Sequence, residues 1–256
     1  MRRLLVIGIG AGDPDHVTAQ AVRALNEVDV FFVVDKGGDT ADLVTLRKAI
    51  LERHVREPSY GVVPVPDPPR DRSAAAYGAA VDDWRARRAD VWERLLRDEL
   101  ADDGVGAFLV WGDPSLYDST LDVIERVLAR GAVAFDYEVI AGISSVHALT
   151  ARHRIALNRV GGAVQITTGR RLAGGGWPDG VDDLVVMLDA DCSFRHLDGT
   201  GVEVFWGAYL GTPDELLVAG PLAEAGPEIE RVRAQARERK GWIMDTYLLR
   251  RSRSSE

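Results

Sequence analysis

A single cysteine, Cys192, stands in the whole chain. No internal disulfide can form from it, and no cysteine cluster is available to hold a metal. A reducing, cytoplasmic setting is the expectation. Histidine is also scarce: His16, His54, His147, His153 and His196 are scattered, and their spacing proposes no metal site. Long apolar runs are missing too. A membrane span needs about 20 consecutive apolar residues, and nothing here approaches that. Positive charge is outnumbered, with 31 Lys and Arg against 40 Asp and Glu, a formal net charge of −9. A chain with that balance is a poor general coat for nucleic acid, which needs a basic surface to meet phosphates. It still has room for a local basic pocket that takes an acidic small molecule. The opening MRRLLVIGIG carries a basic and an apolar part, as a secretion signal does. Its apolar run is short and breaks into glycines and Asp13, so a buried first strand is expected instead.

What is present is the composition of an ordinary globular protein, 46% apolar and 28% charged over 256 residues, enough for two modest domains. Apolar runs at 4–9, 28–34, 107–111 and 134–140, with a weaker one at 61–65, read as strands. They are apolar on both faces, as strands buried in a parallel sheet are. Helical spacing recurs between them at 16–26, 41–53, 77–95 and 121–129, the last closing at Gly131 as a C-cap. Alternation of this kind predicts a right-handed parallel α/β layer structure. The second half is looser. A helix is expected at 143–153, strands at 163–167, 184–188 and 202–209, a flexible loop over the glycine-rich stretch 169–180, and a helix at 227–247. The expected division is an N-terminal α/β domain with a mainly parallel sheet over 1–142. A C-terminal α/β domain with a mixed sheet and a frayed tail would follow over 143–256.

Two segments pass from an apolar run through glycine to Asp-Pro and into a helical pattern: GIGAGDPDHVT at 8–18 and VWGDPSLYDST at 110–120. Asp13 and Asp113 suit helix N-caps, and Pro14 and Pro114 suit the first turn. In a parallel sheet such turns gather at the carboxyl edge, where open α/β sheets bind ligands. Gly8, Gly10 and Gly12 invite a dinucleotide-binding reading, but the third glycine of that fingerprint would fall at Asp13. A carboxylate there meets a pyrophosphate with like charge. The three-glycine loop of the commonest methyltransferase fold is no better match, because Val6 and Ile7 stand where an acidic residue is usual.

Together with VIAGISSVHAL at 139–149, these segments resemble the three motifs of the tetrapyrrole methylase family, the S-adenosylmethionine-dependent enzymes of cobalamin and sirohaem synthesis. TTGRR at 167–171 and YLGTP at 209–213 fit more loosely. FFVVDKG at 31–37 and the whole of LVWGDPSLYDST are similar to the branch that methylates a precorrin at C1 and releases acetate. Ala11 and Ala141 depart from the pattern, standing where many members carry proline.

The resemblance implies two α/β domains with S-adenosylmethionine in the cleft between them, no metal, a tetrapyrrole substrate and a homodimer. Neither nucleic acid nor membrane is implied as a partner. Carried over by position, Gly112, Asp113, Pro114, Ile143, Ser144, Ser145, Met187, Leu188, Tyr209 and Leu210 would meet the cofactor. Gly10, Gly12, Lys36, Arg170 and Arg171 would meet the substrate, whose acetate and propionate arms call for cations. Asp13, Asp35, Tyr117 and His147 are the candidates for acid–base work in the release of acetate. Each has a plainer alternative: N-caps for Asp13 and the serines, a strand-end turn for Asp35, ordinary core for Met187, Leu188, Tyr209 and Leu210. Another methylase of the family, a relative that methylates a translation factor, a dinucleotide-dependent oxidoreductase and a catalytically silent ligand binder also remain open.

Overall fold

A computed structural model describes residues 1–35, 41–57, 59–69 and 77–252. Its contacts divide the chain into two compact units, Met1–Ile143 and Ser144–Glu256.

The first unit is a five-stranded parallel sheet, β1 Arg2–Gly8, β2 Val30–Asp35, β3 Gly61–Pro66, β4 Val105–Val110 and β5 Phe135–Ile140, in the order β3-β2-β4-β1-β5. Every pairing is parallel, so each strand is followed by a crossover: α1 Ala19–Leu25, α2 Ala41–His54, α3 Tyr77–Asp98 and α4 Thr120–Arg130. The alternation of side chains along the strands sorts the apolar runs into two cores. Leu4, Val6, Phe32, Phe108 and Val110 face α3 and α4 through Trp92, Leu96, Val123 and Val127. Leu5, Ile7, Phe31, Ala107 and Leu109 face α1 and α2 through Leu25 and Ile50. Both faces of the inner strands β1, β2 and β4 are covered, which is why their apolar runs show no polar alternation, whereas the edge strand β5 alternates, with Asp136 and Glu138 exposed. Trp92 stacks on Phe108 with ring centroids 4.0 Å apart. β3 lies at a sheet edge and carries Pro64 and Pro66, residues that cannot donate to a further ladder.

The second unit has a mixed sheet of β6 Val164–Thr168, β7 Asp183–Met187, β8 Val202–Ala208, β9 Leu216–Pro221 and β10 Asp245–Arg251, in the order β6-β7-β10-β8-β9. β6 and β7 are parallel; the other pairings are antiparallel. Helices α5 Ser145–His153, α6 Gly169–Gly175 and α7 Leu222–Lys240 complete it. Val186, Val204, Trp206, Tyr247 and Leu249 pack with Ile229 and Ala236 of α7 into one core.

Several expected elements need correction. The glycine-rich stretch from Gly169 is helical to Gly175, because Leu172 is buried and anchors a turn that composition alone marked as loop. The helix expected at 227–247 begins earlier, at Leu222, carries Pro227 in its second turn, and stops at Gly241 in the left-handed conformation. Tyr247 lies instead on β10, paired between β7 and β8. β9, outside the expected strands, has the alternating pattern of a half-covered edge strand. The helix expected at 16–26 is a short 3-10 turn, Pro14–His16, followed by α1 from Ala19. That expected at 143–153 starts at Ser145, so Ile143 stands outside it.

Candidate functional site

At the carboxyl edge of the first sheet the loops after β1, β4 and β5 pack backbone against backbone. Gly10 and Gly112 form an isolated bridge, with Gly112 N donating to Gly10 O at 2.8 Å and Gly10 N to Gly112 O at 3.3 Å. A Cβ on Gly142 would lie 2.1 Å from Gly112 O and 2.8 Å from Gly8 C, so only glycine permits this approach. The Asp113 carboxylate ties the loops together: Oδ1 accepts from Ser115 N at 2.8 Å and from the Ser115 hydroxyl, and Oδ2 accepts from Gly142 N at 2.8 Å. The turn between Gly112 and Pro114 is thus a clamp on the β5 loop and not the expected helix start: α4 begins only at Thr120, with Ser119 at its N-cap, because the Asp113 carboxylate is spent on Ser115 and Gly142. Tyr117, in the same segment, has φ 51° and is 45% exposed.

Asp13 caps the 3-10 turn, its Oδ1 accepting from Asp15 N at 2.8 Å. Gly12 is buried, and the His16 Cβ packs against Gly10. Asp35 ends β2 at the same edge. Lys36 lies outside the described residues. Arg47 of α2 reaches this edge, its Nε donating to Leu109 O at 3.2 Å; burial lowers its pKa, and the charge of Asp118 acts against that. As one of several basic residues in its helix and loop neighbourhood, Arg47 had no sequence signal that singled it out.

The second sheet has an edge of its own. β6, β7 and β8 run in the same direction, and the register sets Thr168 beside Met187, Met187 beside Thr246, and Asp245 beside Ala208. Arg170 and Arg171, Met187 and Leu188, and Tyr209 and Leu210 therefore come to one sheet edge. Arg170 and Arg171 are exposed on the first turn of α6. Leu188 has φ 53° and is 66% exposed, whereas Tyr209 has φ 49° and is buried with Leu210. A left-handed backbone costs an ordinary residue roughly 1–2 kcal/mol. Two such corners at one edge, one of them presenting an apolar side chain to solvent, mark a place shaped for something other than stability. Tyr209 is pinned by its hydroxyl, which donates to Trp242 O at 2.6 Å, and by its N–H, which donates to Met244 O at 3.0 Å.

Ser144 caps α5, and its hydroxyl meets His147 Nδ1 at 2.8 Å. His147 is exposed and Ser144 buried, with Ser145 half-buried as the first residue of the helix. Arg152, another of the basic residues, pairs with Glu215 at 2.5 Å. Among the described residues no three His, Cys, Asp or Glu side chains are grouped to hold a metal ion, and no helix is long and apolar enough to cross a membrane.

The feature that the sequence did not disclose is Asp189, buried directly after Leu188 and hydrogen-bonded by Ser193, Asp191 and Tyr247. Its only signal was an acidic residue at the end of an apolar run, which also describes many solvated turns.

The family model of the Tetrapyrrole (Corrin/Porphyrin) Methylases matches residues 3–226. The chain belongs to that family. Among the tetrapyrrole methylases it is 49% identical over 251 residues to a precorrin-6A synthase [deacetylating] from Sinorhizobium sp, covering 98% of this chain and 96% of that one. A cobalamin-synthesis-related protein (CobF) from Corynebacterium diphtheriae has a solved structure that superposes with a TM-score of 0.84 at 38% identity, over 99% of this chain and 100% of that one. The uroporphyrin-III C-methyltransferase of Thermus thermophilus, solved in complex with S-adenosylhomocysteine, shares the methylase fold. Its TM-score is 0.57 at 21% identity, over 96% of each chain.

Proposed function

We propose that this methylase converts precorrin-5 to precorrin-6A, transferring a methyl group from S-adenosylmethionine to C1 and releasing acetate. The observation that carries the reading is full-length similarity, 49% identity over 98% of the chain, to a protein named precorrin-6A synthase [deacetylating]. The shape of the second sheet edge supports the cofactor: Met187, the exposed Leu188 and the pinned Tyr209 and Leu210 offer apolar surface and main-chain groups, which suit an adenine and its ribose. Gly112, Asp113, Pro114, Ile143, Ser144 and Ser145, from the second and third motifs, are assigned to the same ligand. Gly10, Gly12, Lys36, Arg170 and Arg171 are assigned to the tetrapyrrole, the arginines to its carboxylate arms.

When bound, S-adenosylmethionine supplies an electrophilic sulfonium methyl, and the ring carbon supplies the electron pair that displaces sulfur. The protein needs no nucleophile of its own for this step. Its residues hold the reacting atoms in line and keep water away. Loss of the acetyl group differs: water adds to the carbonyl, the bond to the macrocycle breaks with its electron pair passing to the ring, and acetate departs. A base for the water and a donor for the oxyanion serve that step, and Asp13, Asp35, Tyr117 and His147 are the groups proposed. The Asp13 carboxylate is engaged by its own turn and His147 Nδ1 by Ser144, which leaves the other carboxylate oxygen and Nε2 as the atoms to test. We also take the enzyme to act as a homodimer in the cytoplasm, without nucleic acid or membrane.

The test is an incubation of the purified protein with precorrin-5 and methyl-labelled S-adenosylmethionine, following label in the macrocycle and free acetate together. Label with an equal amount of acetate is expected. Label without acetate points to another methylase of the family. No label, with cofactor binding intact, removes precorrin-5 as the substrate.

A further inference from the structure

Leu188 is held where its own preferences would not put it: left-handed, with φ 53°, and 66% exposed. Such a corner persists only where its surroundings over-determine it. The surroundings are a buried polar cluster centred on the next residue. Asp189 is 6% exposed, and its carboxylate is saturated. Oδ1 accepts from Ser193 Oγ at 2.9 Å and Asp191 N at 3.1 Å; Oδ2 accepts from Ser193 N and from the Tyr247 hydroxyl, each at 2.6 Å. Arg233 of α7 grips the same peptide segment, Nη2 donating to Asp189 O at 2.7 Å and Nη1 to Ala190 O at 3.1 Å, while its Nε donates to Asp245 Oδ2 at 2.9 Å. Trp206 Nε1 donates to that same oxygen at 2.9 Å.

The corner that opens α6 is moulded around this carboxylate. A Cβ on Gly169 would lie 2.3 Å from the Asp189 carboxyl carbon. One buried acid thus sets two neighbouring features of the sheet edge, the Leu188 backbone and the turn that carries Arg170 and Arg171. Apolar packing does not require such an acid. A saturated buried network rigidifies what it touches, and a partly satisfied one loosens it.

We propose that Asp189 is a positioning residue for the cofactor: gripped by Tyr247, Ser193 and Arg233, it fixes the Leu188 peptide in the shape that receives S-adenosylmethionine, without touching the ligand itself. The inference rests on the cofactor reading given above.

Isothermal titration of the full chain with S-adenosylmethionine tests it, together with steady-state kinetics in the precorrin-5 assay. Asp189→Asn keeps the volume but replaces one acceptor oxygen by a donor, and Tyr247→Phe removes one hydrogen bond. Loss of a hydrogen bond to a charged group is expected to weaken binding about tenfold in Asp189→Asn, and Tyr247→Phe should weaken it by about threefold or more. KM for the cofactor rises in step, and kcat at saturation stays within about threefold. Ile229→Val, in the core of the same unit, lowers the melting temperature and leaves Kd unchanged. A role confined to stability behaves like that control, so wild-type Kd and KM in the folded variants overturn the proposal. If Asp189→Asn does not fold, Tyr247→Phe decides alone. If the unaltered chain does not bind S-adenosylmethionine, the cofactor reading falls and takes this inference with it. Failure of the inference alone shows as binding that the variants do not weaken.

Discussion

At the scale of single residues, the first sheet edge depends on atoms that are absent. Gly142→Ala sets a methyl group against two backbone segments, neither of which can turn aside as a flexible side chain would. Overpacking of this kind costs about 1–3 kcal/mol, and the expected result is a lower melting temperature with loss of methyl transfer. Asp113→Ala removes the acceptor shared by Ser115 and Gly142 and should cost about 1–2 kcal/mol; denaturant titration reads it. Cys192 offers a test of burial. Desolvation pushes its thiol up to about 11, against the pull of Arg233. Near pH 8 only about one thiol in a thousand is then ionised, so a thiol reagent should label the native protein slowly and the denatured protein at once. Because the folded value lies above the ordinary 9.0, the contribution to stability is whole below pH 9 and is lost as the pH rises towards 11.

At the scale of elements, the two glycine-rich stretches behave in opposite ways. The one after β1 is a loop at the carboxyl edge of the sheet, where Gly8 and Gly10 leave no room for a Cβ. The one after β6 is a helix whose glycines are mostly idle. A Cβ on Gly174 would meet nothing within 4 Å, so Gly174→Ala should stabilise α6 by about 0.5–1 kcal/mol. A rise in melting temperature with unchanged cofactor affinity is the expected outcome, and a fall would deny that the segment is helical. On α3, the tryptophans divide their tasks. Trp92 is core, stacked on Phe108, whereas Trp84 turns its indole N–H to Pro68 O at 3.0 Å, and the Arg88 guanidinium lies over both rings. Arg88 also bonds Ser119 Oγ at 2.8 Å and pairs with Asp67 at 3.0 Å, joining the segment after β3 to the start of α4.

At the scale of the whole molecule, the two units carry separate cores. A ligand that binds only the folded state adds about 2.7 kcal/mol at a hundred times its Kd. S-adenosylmethionine is expected to raise the melting temperature by an amount that grows with the logarithm of its concentration, and NADPH to leave it unmoved. A shift with NADPH and none with S-adenosylmethionine would overturn the cofactor assignment. Of the cationic residues assigned to the tetrapyrrole, Arg170 and Arg171 belong to a defined helix start, so their joint replacement by alanine should raise the KM for the tetrapyrrole without unfolding the second unit.

The alternation of apolar runs and helical spacings made the inner strands of the first sheet legible by itself, because burial on both faces leaves no other pattern for a parallel strand. The Asp-Pro turns were legible as turns but not as helix starts: Asp13 caps only the 3-10 turn Pro14–His16, and the helices begin later, at Ala19 and Thr120. The second sheet was only half legible. β10 takes its place between β7 and β8 through pairings with residues far away in the chain. The helix α6 was hidden because Leu172 is buried by tertiary packing that composition does not reveal. Only the tertiary structure showed that Asp113 clamps the β5 loop, that Leu188 and Tyr209 stand left-handed at one edge, and that Asp189 holds that edge in place. Those facts depend on contacts between residues 20 to 58 positions apart, and no local signal encodes them.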